Sequence, residues 1–252
     1  MSESAESWRY GELATAVYEL DKPVGFSFGD IEFYGDRLAD VTGPILEPAV
    51  GTGRFLIPLL EAGFDMRGFD ASPHMLRVCQ RNCAERNLTP ELTSGDMETH
   101  VAEAAYDAIV IPTGSIMLLS GWGATVKALR HMRRSLRPGG RLLVDVPPLD
   151  VSTETGPIRH WWRGEDLLTL QTWHVDYNAV TQRVTRWQRY ELWQNGSLVT
   201  TELQLFALQC FGLAEFAGLL REAGFRDVTA FGGYEARPPH RDDSMWTFEA
   251  MA

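Results

Sequence analysis

The stretch Pro44-Ile45-Leu46-Glu47-Pro48-Ala49-Val50-Gly51-Thr52-Gly53-Arg54-Phe55 decides the fold of this chain. A short apolar run leads into an acid, two glycines separated by one residue, and then an apolar helical pattern. This order predicts a buried strand, a tight turn and a helix. Glycines at such a turn let another molecule approach the main chain, beside the free N–H groups of a helix N-terminus. An ordinary strand-to-helix turn has the same pattern, so the residues downstream decide its meaning.

Strands and helices alternate from this turn to about residue 150. Such alternation is typical of a doubly wound α/β fold with a parallel sheet. The predicted strands are Ile45–Glu47, Met66–Asp70, Glu91–Ser94, Tyr106–Ile111 and Arg141–Val146. Beyond residue 150 the helical period disappears, and three long β-rich segments follow: Leu167–Tyr177, Val180–Trp193 and Leu198–Phe211. Asn195-Gly196 predicts a two-residue hairpin loop between the last two, which would place Arg189 opposite Glu202.

These changes of pattern predict three parts. Residues 1–42 form an N-terminal helical lid, with helices at Trp8–Leu20 and Ile31–Asp40 and with Asp30 as an N-cap; packing of both helices on the sheet edge is the alternative. Residues 43–150 and 212–252 form the core. Residues 151–211 form an antiparallel β insertion that serves as a substrate cap, a dimer face or both.

The composition excludes several classes of partner. The 252 residues carry a formal net charge of −11, which disfavours a nucleic-acid substrate. No apolar run approaches the roughly 20 residues of a membrane helix, so we expect no membrane association. Cys79, Cys83 and Cys210 form no metal-binding pattern. We therefore expect no metal, free thiols and a cytoplasmic protein.

The carboxyl ends of the first four strands carry an unusual set of residues. Ligands of open α/β sheets bind at these ends. Asp70 lies 19 residues beyond Gly51, near the spacing of an acid that binds ribose hydroxyls, and Asp96 could accept from an exocyclic amine. Leu56 stands where a dinucleotide-binding turn has its third glycine. Acids near the turn, Glu47 among them, suit the sulfonium and ammonium groups of S-adenosylmethionine, so we expect this cofactor.

Four motifs in order carry a family resemblance. Glu-x-Ala-x-Gly-Thr-Gly, Gly-Phe-Asp-Ala-Ser-Pro-His-Met-Leu, Ser-Gly-Asp-Met and Leu-Arg-Pro-Gly-Gly-Arg-Leu-Leu-Val-Asp resemble those of a class I S-adenosylmethionine-dependent methyltransferase. The resemblance covers about residues 30–150 and resumes weakly at Phe216–Asp227. It implies a Rossmann-like, seven-stranded sheet of order 3-2-1-4-5-7-6, with the last strand antiparallel.

The same resemblance implies a cofactor site. Gly51 and Gly53 would line the amino-acid part, Asp70 would hold the ribose, and Asp96 and Met97 would border the adenine. Ala49 stands where many members have a glycine. The full set of expected cofactor residues is Glu47, Ala49, Gly51, Gly53, Arg54, Asp70, Ala71, Met75, Asp96, Met97, Pro112 and Ser115.

The small-molecule branch of the family is the most similar. The insertion resembles that of glycine N-methyltransferase relatives and macrolide-sugar N,N-dimethyltransferases, although the His that many of the latter have after strand four is absent from residues 115–119. We expect methyl transfer to N, O or an electron-rich aromatic carbon of a small metabolite. A non-catalytic cofactor-binding regulatory protein and a nicotinamide-dependent oxidoreductase remain alternatives.

Candidate catalytic and substrate residues are harder to choose, because the donor is already activated and positioning does much of the work. His160 and His174 are candidate bases, and Tyr18 and Tyr34 in the lid could touch the reacting groups. The insertion is rich in aromatic residues, which could wall a pocket for a flat or cationic substrate, pack on the core, or form a homodimer face. The expected substrate residues are Trp161, Trp162, Trp173 and Glu191.

Overall fold

The structure, a computed structural model, describes residues 10–149 and 152–252. The predicted helix start at Trp8 and the predicted boundary at residues 150–151 lie outside the described residues. No helix in the described ranges is long and apolar enough to cross a membrane. The strands in chain order are β1 Ile45–Pro48, β2 Met66–Asp70, β3 Leu92–Ser94, β4 Tyr106–Ile111, β5 Leu136–Val146, β6 Arg159–Arg163, β7 Asp166–Asn178, β8 Arg183–Gln194, β9 Ser197–Gln209, β10 Arg226–Gly232 and β11 Trp246–Met251.

These strands form two sheets. The seven-stranded sheet has the order β10-β11-β5-β4-β1-β2-β3, and β11 runs antiparallel to both of its neighbours. This confirms the predicted order, since β10 and β11 are the sixth and seventh strands of that sheet. The remaining strands form a four-stranded antiparallel sheet of order β6-β7-β8-β9. Its first strand, β6, was not predicted from the sequence.

Six helices and one 3-10 segment connect or cover the sheets in the described ranges. They are α1 Glu12–Asp21, α2 Asp30–Arg37, α3 Leu56–Glu61, α4 Pro73–Ala84, the 3-10 segment Pro112–Leu118, α5 Trp122–Ser135 and α6 Leu213–Glu222. The α4 start follows the prediction, because Pro73 occupies the first turn and Ser72 Oγ accepts from Met75 N at 3.3 Å. The Asp30 prediction is wrong: Gly29 is the N-cap of α2, and Asp30 is its fully buried first residue.

The large sheet is covered on both faces, which explains the uninterrupted apolar sequence of β4. Ala108 and Val110 pack on one face, against Phe55 and the apolar residues of α3. Ile109 and Ile111 pack on the opposite face, in the cluster that also contains α5 and α6 residues. The period of two along β4 therefore separates two cores rather than a core and solvent.

The two N-terminal helices have different positions. Leu13, Ala14 and Val17 of α1 pack on the inner face of the four-stranded sheet, against Leu170 and Tyr190 among others. By contrast, α2 packs on the large sheet, since its Phe33 and Tyr34 belong to the core cluster around β1. The assignment of residues 1–42 as a lid stays a prediction. The name lid is used below for α1 alone, as a label for its position.

The hairpin of β8 and β9 has the predicted two-residue loop but a different register. Gln194 pairs with Ser197 across Asn195-Gly196. A bulge between the pairs of Trp193 and Leu192 then shifts every pair farther from the loop by one residue. Consequently, Arg189 lies opposite Leu203, and the predicted pair with Glu202 is wrong. A bulge places two residues of one strand opposite one residue of its partner, so every pair beyond it is displaced by one.

Candidate functional site

One cleft of about 890 Å³ joins the two sheets. Its floor is the carboxyl-terminal edge of the large sheet, and its opposite walls are the lid and the inner face of the four-stranded sheet. Eight of the expected cofactor residues line it: Ala49, Gly51, Asp70, Ala71, Met75, Asp96, Met97 and Ser115. The other four, which do not line it, are Glu47, Gly53, Arg54 and Pro112. The chain therefore brings most of the expected cofactor residues to one surface.

The two glycines of the turn serve different needs. Gly51 has φ +58°, and among the described residues a Cβ added there would have only Tyr18 Cε1 within 4.0 Å. Gly53 has φ +86°, and a Cβ there would meet Ile57 Cδ1 at 2.8 Å and Cys79 Sγ at 3.0 Å. Gly51 leaves the main chain open to the cleft, while Gly53 allows close packing of the turn on the helices behind it.

Asp70 ties the turn to the next strand end. Its Oδ2 accepts from Gly51 N at 2.8 Å, and its Oδ1 accepts from Ser72 N at 2.7 Å. Burial raises the pKa of Asp70, although these backbone N–H groups oppose the shift. An acceptor-rich carboxylate thus stands in the cleft at the position where the sequence predicts ribose binding.

Glu47 and Arg54 lie behind the turn rather than in the cleft. Arg54 Nη2 contacts Asp30 Oδ2 at 2.5 Å and Arg54 Nη1 donates to Phe26 O at 2.6 Å, so this buried side chain holds the turn against α2. Burial raises the pKa of Glu47 well above its usual value. Its Oε2 is buried and has no hydrogen-bond partner among the described residues.

Asp145, at the end of β5, is the main functional candidate that the sequence did not predict. Its Oδ1 accepts from Tyr34 Oη at 2.8 Å and Thr247 Oγ1 at 2.6 Å. Its Oδ2 accepts from Thr113 N at 2.7 Å and Tyr234 Oη at 2.8 Å. Thr113 has φ 53° and lines the cleft, as does Tyr234. One buried carboxylate therefore fixes a strained corner of the cleft to α2, β11 and the segment after β10.

We expect Asp145 to impose a measurable pH dependence on stability. Burial raises its pKa to about 6, against the donors that favour its charged form. A carboxyl whose pKa is raised on folding stabilises the fold fully below its unfolded pKa of about 3.9, and that contribution is lost as the pH rises through about 6. Each tenfold change in proton affinity corresponds to about 1.4 kcal/mol, so the loss amounts to about 3 kcal/mol.

The measurement is the free energy of unfolding of the wild type and of Asp145→Asn between pH 4 and pH 7.5. The wild-type value should fall relative to the variant by about 3 kcal/mol over this interval. Contributions from other groups, Glu47 included, are common to both proteins and cancel in the difference. Parallel curves for the two proteins would contradict the assignment.

The candidate catalytic residues separate into two groups. Tyr18 lines the cleft, beside Gly51. Tyr34 is fully buried and is bound to Asp145, so it does not line the cleft. His160 and His174 are exposed on β6 and β7 and do not line it either. For His160 the reason is strand alternation, since Arg159 next to it takes the cleft side.

The candidate substrate residues also lie away from the cleft. Trp161 packs against the apolar cluster between the lid and the four-stranded sheet. Trp162 and Trp173 are 63% and 62% exposed. Glu191 accepts from Thr169 Oγ1 at 3.1 Å and Trp193 Nε1 at 3.2 Å on the outer face of the sheet. The expected tryptophan-walled pocket is therefore not what the described residues form.

A different aromatic wall is present instead. It consists of tyrosine and phenylalanine rings from segments far apart in the chain: Tyr10, Tyr18, Phe28, Phe69, Tyr190, Phe206 and Tyr234. The alternation along β8 contained a usable signal, because Gln188 and Tyr190 occupy the face opposite Trp187, Glu191 and Trp193. Which of the two faces turns inward depends on the docking of the lid, and no local pattern shows that.

The fold and the glycine turn define an α/β protein with a nucleoside-type site at its strand ends, and comparison with known proteins narrows this class. A family described as methyltransferase domain matches residues 45–140. A glycine/sarcosine N-methyltransferase from Parasynechococcus marenigrum is 28% identical over 193 residues, which cover 76% of this chain and 66%, just under two thirds, of that protein.

Solved structures agree in fold over the whole chain. The CcbJ methyltransferase from Streptomyces caelestis has a TM-score of 0.78 at 19% identity, covering 98% of each chain. CalS10, an amino pentose methyltransferase from Micromonospora echinaspora solved with S-adenosylmethionine bound, has a TM-score of 0.70 at 18% identity, covering 100% of this chain and 99% of its own. Residues 45–140 thus match the methyltransferase domain family, and the described residues have the Rossmann-like fold of these S-adenosylmethionine-dependent methyltransferase structures.

Proposed function

We propose that this chain transfers the methyl group of S-adenosylmethionine to a nitrogen atom of a small polar molecule. The observation that carries the proposal is the cleft that runs from the glycine turn to the inner face of the four-stranded sheet. Its volume of about 890 Å³ lies near the upper end of the range of about 300–1,000 Å³ for small-molecule sites. A cofactor at one end therefore leaves room for an acceptor at the other.

The residues of the turn side suit this cofactor. Asp70 and Asp96 offer carboxylate oxygens for hydroxyl and amine donors, and Gly51 leaves space for close approach. Bound there, S-adenosylmethionine supplies an electrophilic methyl group, and Thr113 and Ser115 border the space beside it by the family resemblance.

The chain's own residues would then bind, orient and exclude water from the acceptor. Burial raises the pKa of Tyr190, as it does that of Tyr18, so both remain protonated hydroxyls at neutral pH and act through hydrogen bonds. A neutral amine already carries its lone pair and needs only alignment with the methyl group. The similarity to a glycine/sarcosine N-methyltransferase supports nitrogen over oxygen or carbon as the acceptor.

The experiment is a turnover assay with S-adenosylmethionine and matched panels of small amines and small phenols. Methylated amine and S-adenosylhomocysteine should appear together in mass spectra, and the Asp70→Ala variant should yield at least tenfold less of both. Methylation of phenols alone would overturn the choice of nitrogen. Cofactor binding without methylation of either panel would favour a regulatory protein.

Two further parts of the proposal concern the whole chain. The outer face of the four-stranded sheet exposes Trp162, Trp173 and Leu203, and we propose it as a homodimer face. Sedimentation should show a dimer that Trp173→Ser weakens. A wild-type chain that remains monomeric at about 100 μM would overturn the proposed dimer face. A cytoplasmic location is also proposed, because Cys79 and Cys83 are buried and form no disulfide.

A further inference from the structure

The inner face of the four-stranded sheet carries two glutamines side by side. Gln188 of β8 and Gln204 of β9 are register partners. Gln188 lines the cleft, and so do Phe206 and Leu208, which follow Gln204 by two and four residues on β9. The bulge of this hairpin lies between the pairs of Leu192 and Trp193, so alternation is regular from Gln188 onward. Gln204 therefore projects from the same face as these residues, although it lies behind the cleft lining and is not itself part of it.

Gln204 is an unusual buried side chain. It is 3% exposed, and neither its Oε1 nor its Nε2 has a hydrogen-bond partner within the part of the chain that the structure describes. Buried side-chain amides are nearly always hydrogen-bonded, since leaving a buried donor or acceptor unsatisfied destabilises the fold. An amide offers both an acceptor and two donors, so its missing partner must donate and accept as well.

The neighbouring groups indicate the charge of that partner. Tyr190 Oη donates to Gln188 Oε1 at 2.9 Å, which fixes the orientation of the second amide. Leu170 and Phe206 supply apolar walls, and Tyr10 packs edge-on against Phe206 with ring centroids 6.1 Å apart. Apolar walls around two neutral amides suit a neutral polar group. The charged side chains near Tyr190 are already engaged, since Glu202 accepts from Leu13 N at 3.0 Å and Arg159 donates to Asp21 Oδ1 at 3.1 Å.

We propose that Gln188 and Gln204 form a recognition subsite for a neutral hydroxyl or amide group that the methyl acceptor carries beside its reactive amine. The inference rests on the proposed function and specifies the acceptor class within it. In an almost fully covered subsite, an acceptor that lacks the polar group leaves the amides unpaired and is bound less well. The pair is thus a specificity-determining element, distinct from the cofactor residues.

The binding experiment uses two amines that differ in one hydroxyl, trans-2-aminocyclohexanol and cyclohexylamine. Each is titrated in the presence of saturating S-adenosylhomocysteine into the wild type, Gln204→Leu and the control Gln171→Leu. Gln171 is matched in residue type but lies on β7, where it accepts from Arg189 Nη2 at 2.8 Å away from the cleft lining. We expect the wild type and the control to bind the hydroxylated amine about tenfold more tightly, and Gln204→Leu to bind both equally.

Stability separates recognition from a structural role. Leucine at position 204 removes two unsatisfied polar atoms, so the melting temperature of the unliganded variant should equal or exceed that of the wild type. A lower melting temperature, or a tenfold preference that survives in Gln204→Leu, would overturn the subsite. The proposed function is tested separately by product formation: methylation of both amines with no wild-type preference contradicts the subsite alone, whereas no binding and no methylation of either contradicts both.

Discussion

Replacing Asp145 with alanine is expected to lower the free energy of unfolding at pH 7 by about 4 kcal/mol. The variant leaves Tyr34 Oη, Tyr234 Oη, Thr247 Oγ1 and Thr113 N without their common acceptor. Each unsatisfied buried donor costs about 1–3 kcal/mol. Relief of the buried charge returns only about 3 kcal/mol, so the loss of four hydrogen bonds prevails.

Chemical denaturation at pH 7 measures this effect. The control is Asp40→Ala, which removes an exposed carboxylate paired with Arg141 at 2.6 Å and should change stability by less than about 1 kcal/mol. A loss for Asp145→Ala no larger than that of the control would show that Asp145 does not hold these four elements together. The strained Thr113 corner would then need another explanation.

Replacing Asp70 with alanine is expected to weaken cofactor binding by a factor of about 10 to 100. The carboxylate would contact the ribose, and it also accepts from Gly51 N and Ser72 N, so the variant loses ligand contacts and loosens the turn. Asp70→Asn keeps one acceptor oxygen and should have an intermediate affinity. If Asp70→Ala binds S-adenosylhomocysteine as tightly as the wild type, Asp70 is not part of the site.

Most of the large sheet could be predicted from the sequence because its signals are local. The strand, turn and helix around Gly51 and Gly53, and the Pro73 start of α4, each follow from adjacent residues. The sheet order came from the family resemblance and is confirmed. The predicted pairing of β8 with β9 was wrong by one residue. The β-bulge between the pairs of Leu192 and Trp193 places Arg189 opposite Leu203 instead of Glu202.

The cofactor side of the cleft was more predictable than the acceptor side, for a physical reason. Asp70 and Ser115 follow strand ends, and parallel strand ends meet at one edge. Tyr10 and Tyr190 meet only because the lid docks on the four-stranded sheet, a contact between residues far apart in the chain. The sequence indicated an aromatic-rich insertion, but Trp162 and Trp173 lie on the outer face of the four-stranded sheet. Trp161 is on the inner face and packs against the lid cluster rather than lining the cleft.

Asp145 was missed because its role depends on four partners that share no sequence pattern. Tyr34 lies in α2, Thr113 after β4, and Tyr234 after β10. The aspartate itself stands in the Leu-Leu-Val-Asp part of the fourth motif, and a buried acid at the end of a central strand was the available signal. Tyr34, expected to touch the reacting groups, acts instead through its hydrogen bond to this carboxylate.

The most direct test of the central claim is isothermal titration of the wild-type chain with S-adenosylhomocysteine, the demethylated cofactor product. We predict saturable binding at one site per chain, weakened at least tenfold in Asp70→Ala and unchanged in Asp40→Ala. Both variants should be confirmed as folded before titration. The absence of binding to the folded wild type at a concentration of about 1 mM would contradict the cofactor site and the activity proposed from it.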